Sequence, residues 1–267
     1  MDLYCRTIST QKLPYASFVI RHSLIRIIRH SLIMKHTHIK GLFSAPFTPL
    51  NADGSLNLAM IPTLVENLIA DGLTGAFICG SNGEGPNFTT QERMAVAEAF
   101  VKAADKRLQI WVHVGHSSIA ESKILMQHAD AIGADAASAV AAFYFKPSSV
   151  ENLVDCMAQI AGAAPQMPFY YYHIPVLTGV GMDMLRFLEL AETQIPNLHG
   201  IKYTANTIWE YQACLNHFGD RFNILYGFDE MLLPALSVGA EAAIGSTYNF
   251  AAPLYLSVVK DYEQSRM

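Results

Sequence analysis

The sequence has few cysteines and no pair of them at a metal-binding or redox spacing. Cys5, Cys79, Cys156 and Cys214 lie far apart, without a CxxC pair. This spacing argues against a disulfide framework and a structural zinc site, and it favours a reducing compartment, for which we expect the cytoplasm. Cys79 precedes a glycine-rich loop, but a strand cysteine is more commonly a small core residue than a nucleophile.

Long apolar runs are also absent, although 51% of the residues are hydrophobic. Spanning a membrane takes about 18–20 apolar residues, and the longest ambiguous stretch, residues 18–34, is interrupted by Arg and His. From residue 39 onward 12 basic side chains face 22 acidic ones. This acidic body argues against nucleic acid and anionic membranes as partners.

The first 38 residues differ from the rest, with six basic side chains, one acidic side chain and the repeat RHSLI at 21–25 and 29–33. A basic, apolar and acid-poor segment is typical of targeting sequences. The alternative is an upstream extension with translation starting at Met34, which we favour because MKHTHIKGLFSAPFTPL has a polar start before a first strand. We therefore expect 1–38 outside the fold and 39–267 as one catalytic domain.

After residue 40, eight short apolar segments alternate with stretches of helical periodicity. The predicted strands are 41–49, 75–81, 109–115, 136–145, 168–175, 198–204, 222–229 and 242–249. Strands that are apolar almost throughout are typical of parallel sheets covered on both faces. The pattern predicts an α/β fold, a TIM (β/α)8 barrel. The alternative, a doubly wound sheet, usually has GxGxxG after its first strand, where this chain has FTPLNADG.

Three intervening segments have recognisable helix ends. MIPTLVENLIADG has apolar residues three and four apart and stops at Gly72. TTQERMAVAEAFVKAA begins with Thr89 or Thr90 as cap and an acidic or amide residue in its first turn. SSIAESKILMQHADAIGAD begins at Ser117 or Ser118.

Chemistry in such a barrel lies at the carboxyl ends of the strands. Strand two ends in GSNGEG, where glycines allow backbone N–H groups to face an anion and Ser81 and Asn82 add donors. An ordinary turn with Glu84 starting a helix is the alternative. Strand six ends in GIKYT, and a desolvated Lys202 would have the lowered pKa that a Schiff-base lysine needs. A Lys202 whose ammonium reaches solvent is the alternative.

Strand five ends in FYYYHIP. Side chains alternate along a strand, so Tyr170 and Tyr172 share one face and Tyr171 takes the other. Tyr172, nearest the carboxyl end, can direct its hydroxyl into the barrel mouth and exchange protons beside Lys202. One tyrosine is therefore predicted to serve chemistry and the others packing.

Strands seven and eight end in GFDE and GSTYN. Asp229 and Glu230 suit hydrogen bonds to a polyol, and an N-cap role for Asp229 is the alternative. Ser246 and Thr247 offer hydroxyls. His113, His116 and His173 have no ligand spacing that fits a metal site, and we expect no metal.

GSNGE, YYYHIP, GIKYT, GFDE and GSTYN, in this order on successive strand ends, resemble the pyruvate-dependent class I aldolase family that includes sialic acid lyases and dihydrodipicolinate synthases. The resemblance runs from about residue 39 to the end and is greatest to the sialic acid lyase branch. Dihydrodipicolinate synthases have an arginine where this chain has Leu177.

The resemblance implies a role for each matched position. Lys202 would form an imine with pyruvate, with no other cofactor, and Tyr172 would donate and accept protons. Ser81 and Asn82 would hold the pyruvate carboxylate, although Asn82 replaces the usual Thr. Tyr144 matches an aromatic near the site, although Ala142 replaces the usual proline before it. The residues implied to line the sugar side are Thr204, Gly227, Asp229, Glu230 and Ser246.

The implied reaction is reversible cleavage of N-acetylneuraminate to N-acetylmannosamine and pyruvate by a homotetramer. Another 2-keto acid aldolase of the family, a dihydrodipicolinate synthase-like enzyme and an inactive truncated product are the alternatives. The last arises because the family continues for about 50 residues as C-terminal helices, so we expect this chain to lack that helical layer.

Overall fold

A closed barrel of eight parallel strands forms the centre of the computed structural model, which describes residues 38–266. Each strand pairs with the next along the chain, and β8 pairs with β1. This confirms the predicted TIM barrel. The extension predicted for 1–38 lies outside the described residues, apart from His38. The strands are β1 Gly41–Ser44, β2 Gly75–Ile78, β3 Gln109–His113, β4 Ala136–Val140, β5 Phe169–His173, β6 Leu198–Tyr203, β7 Asn223–Tyr226 and β8 Ala242–Gly245.

Helices follow the strands and cover the outside of the barrel. Between residues 38 and 266, no helix is long and apolar enough to cross a membrane. A single helical turn at Pro175–Thr178 follows β5, and 3-10 turns lie at Leu58–Met60, Gly85–Asn87 and Asp229–Met231. The longer helices are α1 Ile61–Ala70, α2 Thr90–Ala104, α3 Ile119–Ala131, α4 Val150–Ala161, α5 Met184–Gln194, α6 Ile208–Phe218, α7 Leu232–Ser237 and α8 Tyr248–Glu263.

The three predicted helix ends are confirmed. Thr89 caps α2 in a capping box with Glu92, whose backbone N–H donates to the Thr89 hydroxyl and whose carboxylate accepts from the Thr89 N–H. Ser118 caps α3. Helix α1 ends just before Gly72, which has a φ of +79° that favours glycine.

The strands end earlier than the sequence predicted, and β4 shows the reason. It stops at Val140, although the apolar run suggested a strand to residue 145. Val140 pairs with Tyr172, and β5 ends one residue later at His173. Backbone groups further along β4 therefore have little to pair with, and the chain leaves the sheet.

Two apolar cores separate the three consecutive tyrosines of β5. Tyr170 and Tyr172 lie inside the barrel with Phe77 and Trp111. Tyr171 lies in the layer between barrel and helices, where its ring is 4.6 Å from that of Phe187 on α5. The strand phase predicted from alternation is therefore confirmed.

Candidate active site

Lys202 lies inside the barrel near the carboxyl end of β6 and is only 4% exposed. Its Nζ is 4.1 Å from the ring centroid of Tyr172 and 4.2 Å from that of Phe77. Tyr172 is also its register partner on β5. The alternative in which the Lys202 ammonium reaches solvent is therefore wrong.

Burial lowers the pKa of Lys202, because the ammonium loses its hydration inside the barrel. A hydrogen bond and charge interaction with Tyr172 and the charge of Asp229 oppose this shift without reversing it. The neutral amine is consequently more accessible at neutral pH than in an exposed lysine. A neutral amine is the form that attacks a carbonyl.

Tyr172 is 3% exposed, with its ring held edge-on by Phe77 and His113 at centroid distances of 5.4 and 6.0 Å. Its hydroxyl oxygen lies 3.5 Å from Oγ of Ser81 at the end of β2. This is a long hydrogen bond, of the kind that tightens when a substrate binds. The arrangement places a phenol side chain, which can exchange protons, beside the Lys202 amine.

The loop after β2 presents unoccupied backbone donors. Among residues 38–266, the N–H groups of Ser81 and Asn82 have no hydrogen-bond acceptor. The Asn82 side chain donates to the carbonyl of Ala45 at 3.1 Å, and Thr48 donates to the carbonyl of Gly83 at 2.6 Å. These contacts tie the loop to the end of β1 and leave the two N–H groups available to an anion.

Both interpretations of the GSNGEG segment have a counterpart in the structure. Glu84 directly precedes the 3-10 turn Gly85–Asn87, as the turn interpretation required, but its side chain does not cap that turn. The Glu84 carboxylate instead accepts a hydrogen bond from the side-chain amide of Asn87 at 3.1 Å. The turn and the free N–H groups thus occupy different parts of one loop.

Asp229 is 5% exposed and is held by the loop after β8. Its Oδ2 accepts hydrogen bonds from the Thr247 N–H at 2.6 Å, the Thr247 hydroxyl at 2.5 Å and the Ser246 hydroxyl at 3.3 Å. It does not cap its own turn, so the N-cap alternative is wrong. Glu230, by contrast, is exposed.

Thr204 and Gly227 are in close contact at the ends of β6 and β7. A Cβ on Gly227 would lie 1.8 Å from the Thr204 hydroxyl oxygen, so only glycine fits. Thr204 is 8% exposed, and its hydroxyl has no partner among the described residues. A buried hydroxyl in this state can bond an incoming polar ligand.

The structure does not bring Tyr144 to Lys202. Tyr144 follows the end of β4, is 77% exposed and contacts Phe145 at a ring distance of 5.0 Å. It belongs to the rim of the barrel mouth. The ring of His113 faces Tyr172, a position that the expectation about metal ligands does not include. Alternation along β3 from the buried Trp111 is the signal that places His113 inside the barrel.

No group of three or more His, Cys, Asp or Glu side chains that could hold a metal ion occurs in the part of the chain that the structure describes. The groups that surround Lys202 are instead aromatic rings, hydroxyls and one buried carboxylate. These groups suit an organic acid with a carbonyl, bound near a nucleophilic amine.

Fold and site together define a (β/α)8 barrel with a buried lysine and an adjacent tyrosine at the carboxyl ends of its strands. Residues 38–266 match the model of the dihydrodipicolinate synthetase family. The chain belongs to this family.

Individual relatives share most of the barrel with this chain. An N-acetylneuraminate lyase of Xenopus tropicalis is 41% identical over 214 residues, which are 79% of this chain and 70% of the relative. The structure of a Proteus mirabilis N-acetylneuraminate lyase has a TM-score of 0.84 at 41% identity, with 86% of this chain and 77% of that chain covered. An Aliivibrio salmonicida N-acetylneuraminate lyase also gives a TM-score of 0.84 at 41% identity, over 86% of this chain and 76% of that one.

Proposed function

We propose that this protein is a Schiff-base aldolase that cleaves N-acetylneuraminate reversibly to N-acetylmannosamine and pyruvate. The observation that carries the proposal is the buried Lys202 amine, 4.1 Å from the ring centroid of Tyr172. The similarity to N-acetylneuraminate lyases supports this choice of substrate. Residues 39–267 would act as one catalytic domain.

The first half of the reaction makes an imine. The neutral Nζ of Lys202 attacks C2 of the open-chain sugar acid and forms a carbinolamine. Tyr172 donates its hydroxyl proton to the departing C2 oxygen, which leaves as water, and becomes a phenoxide. The resulting protonated imine attracts electrons from the neighbouring C3–C4 bond, so that the lysine itself serves as the electron sink.

The second half breaks the carbon–carbon bond. The Tyr172 phenoxide takes the proton of the C4 hydroxyl, the C3–C4 electron pair moves toward the imine nitrogen, and C4 leaves as the aldehyde of N-acetylmannosamine. Tyr172 returns the proton to C3 of the enamine, with the Ser81 hydroxyl 3.5 Å away as a neighbour on its path. Water then hydrolyses the pyruvate imine and regenerates the amine.

The loop after β2 and the ends of β6 to β8 would bind opposite ends of the substrate. The N–H groups of Ser81 and Asn82 would receive the pyruvate carboxylate, which matches their lack of acceptors among residues 38–266. Tyr144 would contact the substrate from the rim of the barrel mouth. The residues that would contact the sugar hydroxyls and the N-acetyl group are Thr204, Gly227, Asp229, Glu230 and Ser246.

The remaining parts of the proposal concern cofactor, assembly and compartment. The imine supplies the electron sink, so neither a metal nor an organic cofactor takes part. A homotetramer would cover the exposed rim residues Tyr144 and Phe145, which are 77% and 85% exposed. The unpaired thiols of Cys79, Cys156 and Cys214 suit a reducing cytoplasm.

The test compares three reactions. Two are pyruvate release from N-acetylneuraminate and from a 2-keto-3-deoxy sugar acid without the N-acetyl group, and the third is condensation of pyruvate with an amino aldehyde. We expect kcat/KM to be highest for N-acetylneuraminate. Preference for either other substrate would instead establish a different aldolase of the family. No turnover of any of the three would overturn the proposed activity.

A further inference from the structure

Cys79, between β2 and the loop that would bind pyruvate, has a left-handed backbone with a φ of 56°. A residue with a Cβ rarely adopts this conformation, and one that does is held there by its surroundings. The turn at Cys79 sets the direction of the residues that follow, and among residues 38–266 the N–H groups of Ser81 and Asn82 have no acceptor. Whatever holds Cys79 therefore also holds the proposed carboxylate site.

His113 and Gly85 hold the Cys79 carbonyl. The Nδ1 atom of His113, at the end of β3, is 3.2 Å from the Cys79 carbonyl oxygen. A Cβ on Gly85 would lie 1.9 Å from the same oxygen, so the loop packs directly against it. The Cys79 thiol contacts the carbonyl of Arg93 at 3.8 Å.

Arg93 fixes His113 from the other side. This guanidinium is 1% exposed and has no carboxylate in ion-pair distance among the described residues. It donates instead to the carbonyls of His113 at 2.6 Å and Gly115 at 2.9 Å. Carbonyl groups at the end of β3, where the ladder stops, thus receive a charge-assisted hydrogen bond.

The environment of His113 selects one neutral tautomer. A carbonyl oxygen can only accept, so the 3.2 Å contact between Nδ1 and the Cys79 oxygen calls for a proton on Nδ1, while the Arg93 nitrogen 3.4 Å from Nδ1 donates to the His113 carbonyl. Burial, Arg93 and Lys202 all keep the pKa of His113 well below its usual range. A neutral ring can stand beside Lys202 without adding a second positive charge.

We infer that His113, braced by Arg93, is a positioning residue that fixes the Cys79 turn and thereby the anion-binding N–H groups of the β2 loop. Its ring also lies edge-on to Tyr172, with centroids 6.0 Å apart. One imidazole therefore connects the proposed carboxylate site with the proposed proton donor. The consequence for pyruvate binding rests on the proposed function, whereas the effect on the loop does not.

The first measurement follows hydrogen exchange of the peptide that covers residues 79–88 in three variants. His113→Leu removes the Nδ1 donor, and we expect exchange of the loop to accelerate about fivefold, the effect of losing one ordinary hydrogen bond. His113→Asn retains a nitrogen donor near the Nδ1 position and should recover most of the protection. The matched control is His173→Leu, because His173 is also 2% exposed but lies on the outer face of β5 against Tyr203.

The second measurement is the pyruvate concentration that half-saturates borohydride trapping of the imine. We expect this concentration to rise about five- to tenfold in His113→Leu, with a smaller fall in the maximal trapping rate, and to return toward the wild-type value in His113→Asn. His173→Leu should leave it unchanged. A purely structural loss would instead lower the amount of folded protein without changing the half-saturating concentration.

The two measurements separate the inference from the proposed function. Failure of the wild-type protein to trap pyruvate would refute the aldolase proposal, while loop exchange would still decide the role of His113. Equal exchange in His113→Leu and His173→Leu, with equal half-saturating pyruvate, would overturn the positioning role. Failure of His113→Asn to recover protection would also contradict it, because the Nδ1 hydrogen bond would then not be the contact that matters.

Discussion

The side-chain nitrogen of Lys202 lies over two adjoining aromatic rings, 4.1 Å from the centroid of Tyr172 and 4.2 Å from that of Phe77. Ring faces attract an ammonium, yet they do not replace its hydration, and the pKa of Lys202 remains lowered by burial. The same contact places the Tyr172 side chain beside the Lys202 amine. The proposed nucleophile and the proposed proton carrier are thus brought together by the register of β5 and β6.

Replacing Tyr172 by Phe removes the hydroxyl and retains the ring. We expect pyruvate to be trapped still, because the amine remains, while the rate of carbon–carbon cleavage falls about 10²–10⁴-fold, as is typical for loss of a general acid–base group. The measurement is kcat for N-acetylneuraminate cleavage beside the yield of the trapped adduct.

Two neighbouring tyrosines supply the controls. Tyr171→Phe alters a hydroxyl on the outer face of β5, and Tyr170→Phe alters one inside the barrel that accepts from Asn223 at 3.2 Å and whose ring stacks on Trp111. Neither should change kcat more than a few-fold. If kcat falls as much in either control as in Tyr172→Phe, Tyr172 is not the specific general acid–base group.

The pH dependence of imine formation should report the lowered pKa of Lys202. The neutral fraction of an amine rises about tenfold per pH unit below its pKa and then levels off. We expect the trapping rate to reach its plateau at a lower pH than the reaction of pyruvate with Nα-acetyl-lysine, the exposed reference. If both reactions reach their plateau at the same pH, burial does not lower the pKa of Lys202.

Asp229 should have a structural role in addition to its proposed contact with the sugar, whereas Glu230 should act in recognition alone. Asp229→Asn weakens the acceptor of three hydrogen bonds from Ser246 and Thr247, so we expect a lower melting temperature. It also removes a negative charge that raises the pKa of Lys202, so the trapping profile should move to lower pH.

Glu230→Gln, in an exposed side chain, should leave melting and pyruvate trapping unchanged and raise KM for the sugar acid. If Glu230→Gln lowers the melting temperature as much as Asp229→Asn does, Glu230 also has a structural role. An unchanged trapping profile in Asp229→Asn would show that its charge does not act on Lys202.

Buried histidines should make the protein sensitive to mild acid. Burial lowers the pKa of His173 from 6.5 to about 4, so the unfolded state binds more protons between these values and stability falls as pH falls through this window. From pH 7 to pH 5 the group should remove about 2 kcal/mol of unfolding free energy.

Urea denaturation of wild type and His173→Leu at both pH values measures this contribution. The variant should lose about 2 kcal/mol less than wild type between pH 7 and pH 5. Equal losses in the two proteins would mean that His173 titrates with its ordinary pKa in the fold.

Alternation and helix-end signals were sufficient to predict the barrel. Short apolar segments marked all eight strands, and the phase of Tyr170 and Tyr172 followed from the period of two. The apolar segment before Lys202 also placed it near the strand end where it is found. These features depend on local sequence, which is why they could be predicted.

Features that depend on neighbouring strands could not be predicted. The apolar run that continues to Tyr144 predicts a longer β4. It does not show that β5 ends at His173, so that residues beyond Val140 have no strand to pair with. The sequence offered an N-cap as the alternative to polyol binding for Asp229, and neither interpretation showed that its hydrogen bonds cross to Thr247, 18 residues later. His113 acquires its partners only in the folded barrel, Arg93 through the packing of α2 against the end of β3 and Cys79 through the pairing of β2 with β3.

The most direct test is borohydride reduction in the presence of pyruvate, followed by intact mass and peptide mapping. We expect one stable adduct per chain on Lys202, and none in Lys202→Arg, which stays charged and cannot act as a nucleophile at neutral pH. Unchanged melting of the variant would verify that the fold persists. An adduct on another lysine, or an undiminished adduct in Lys202→Arg, would contradict the assignment of Lys202 as the nucleophile.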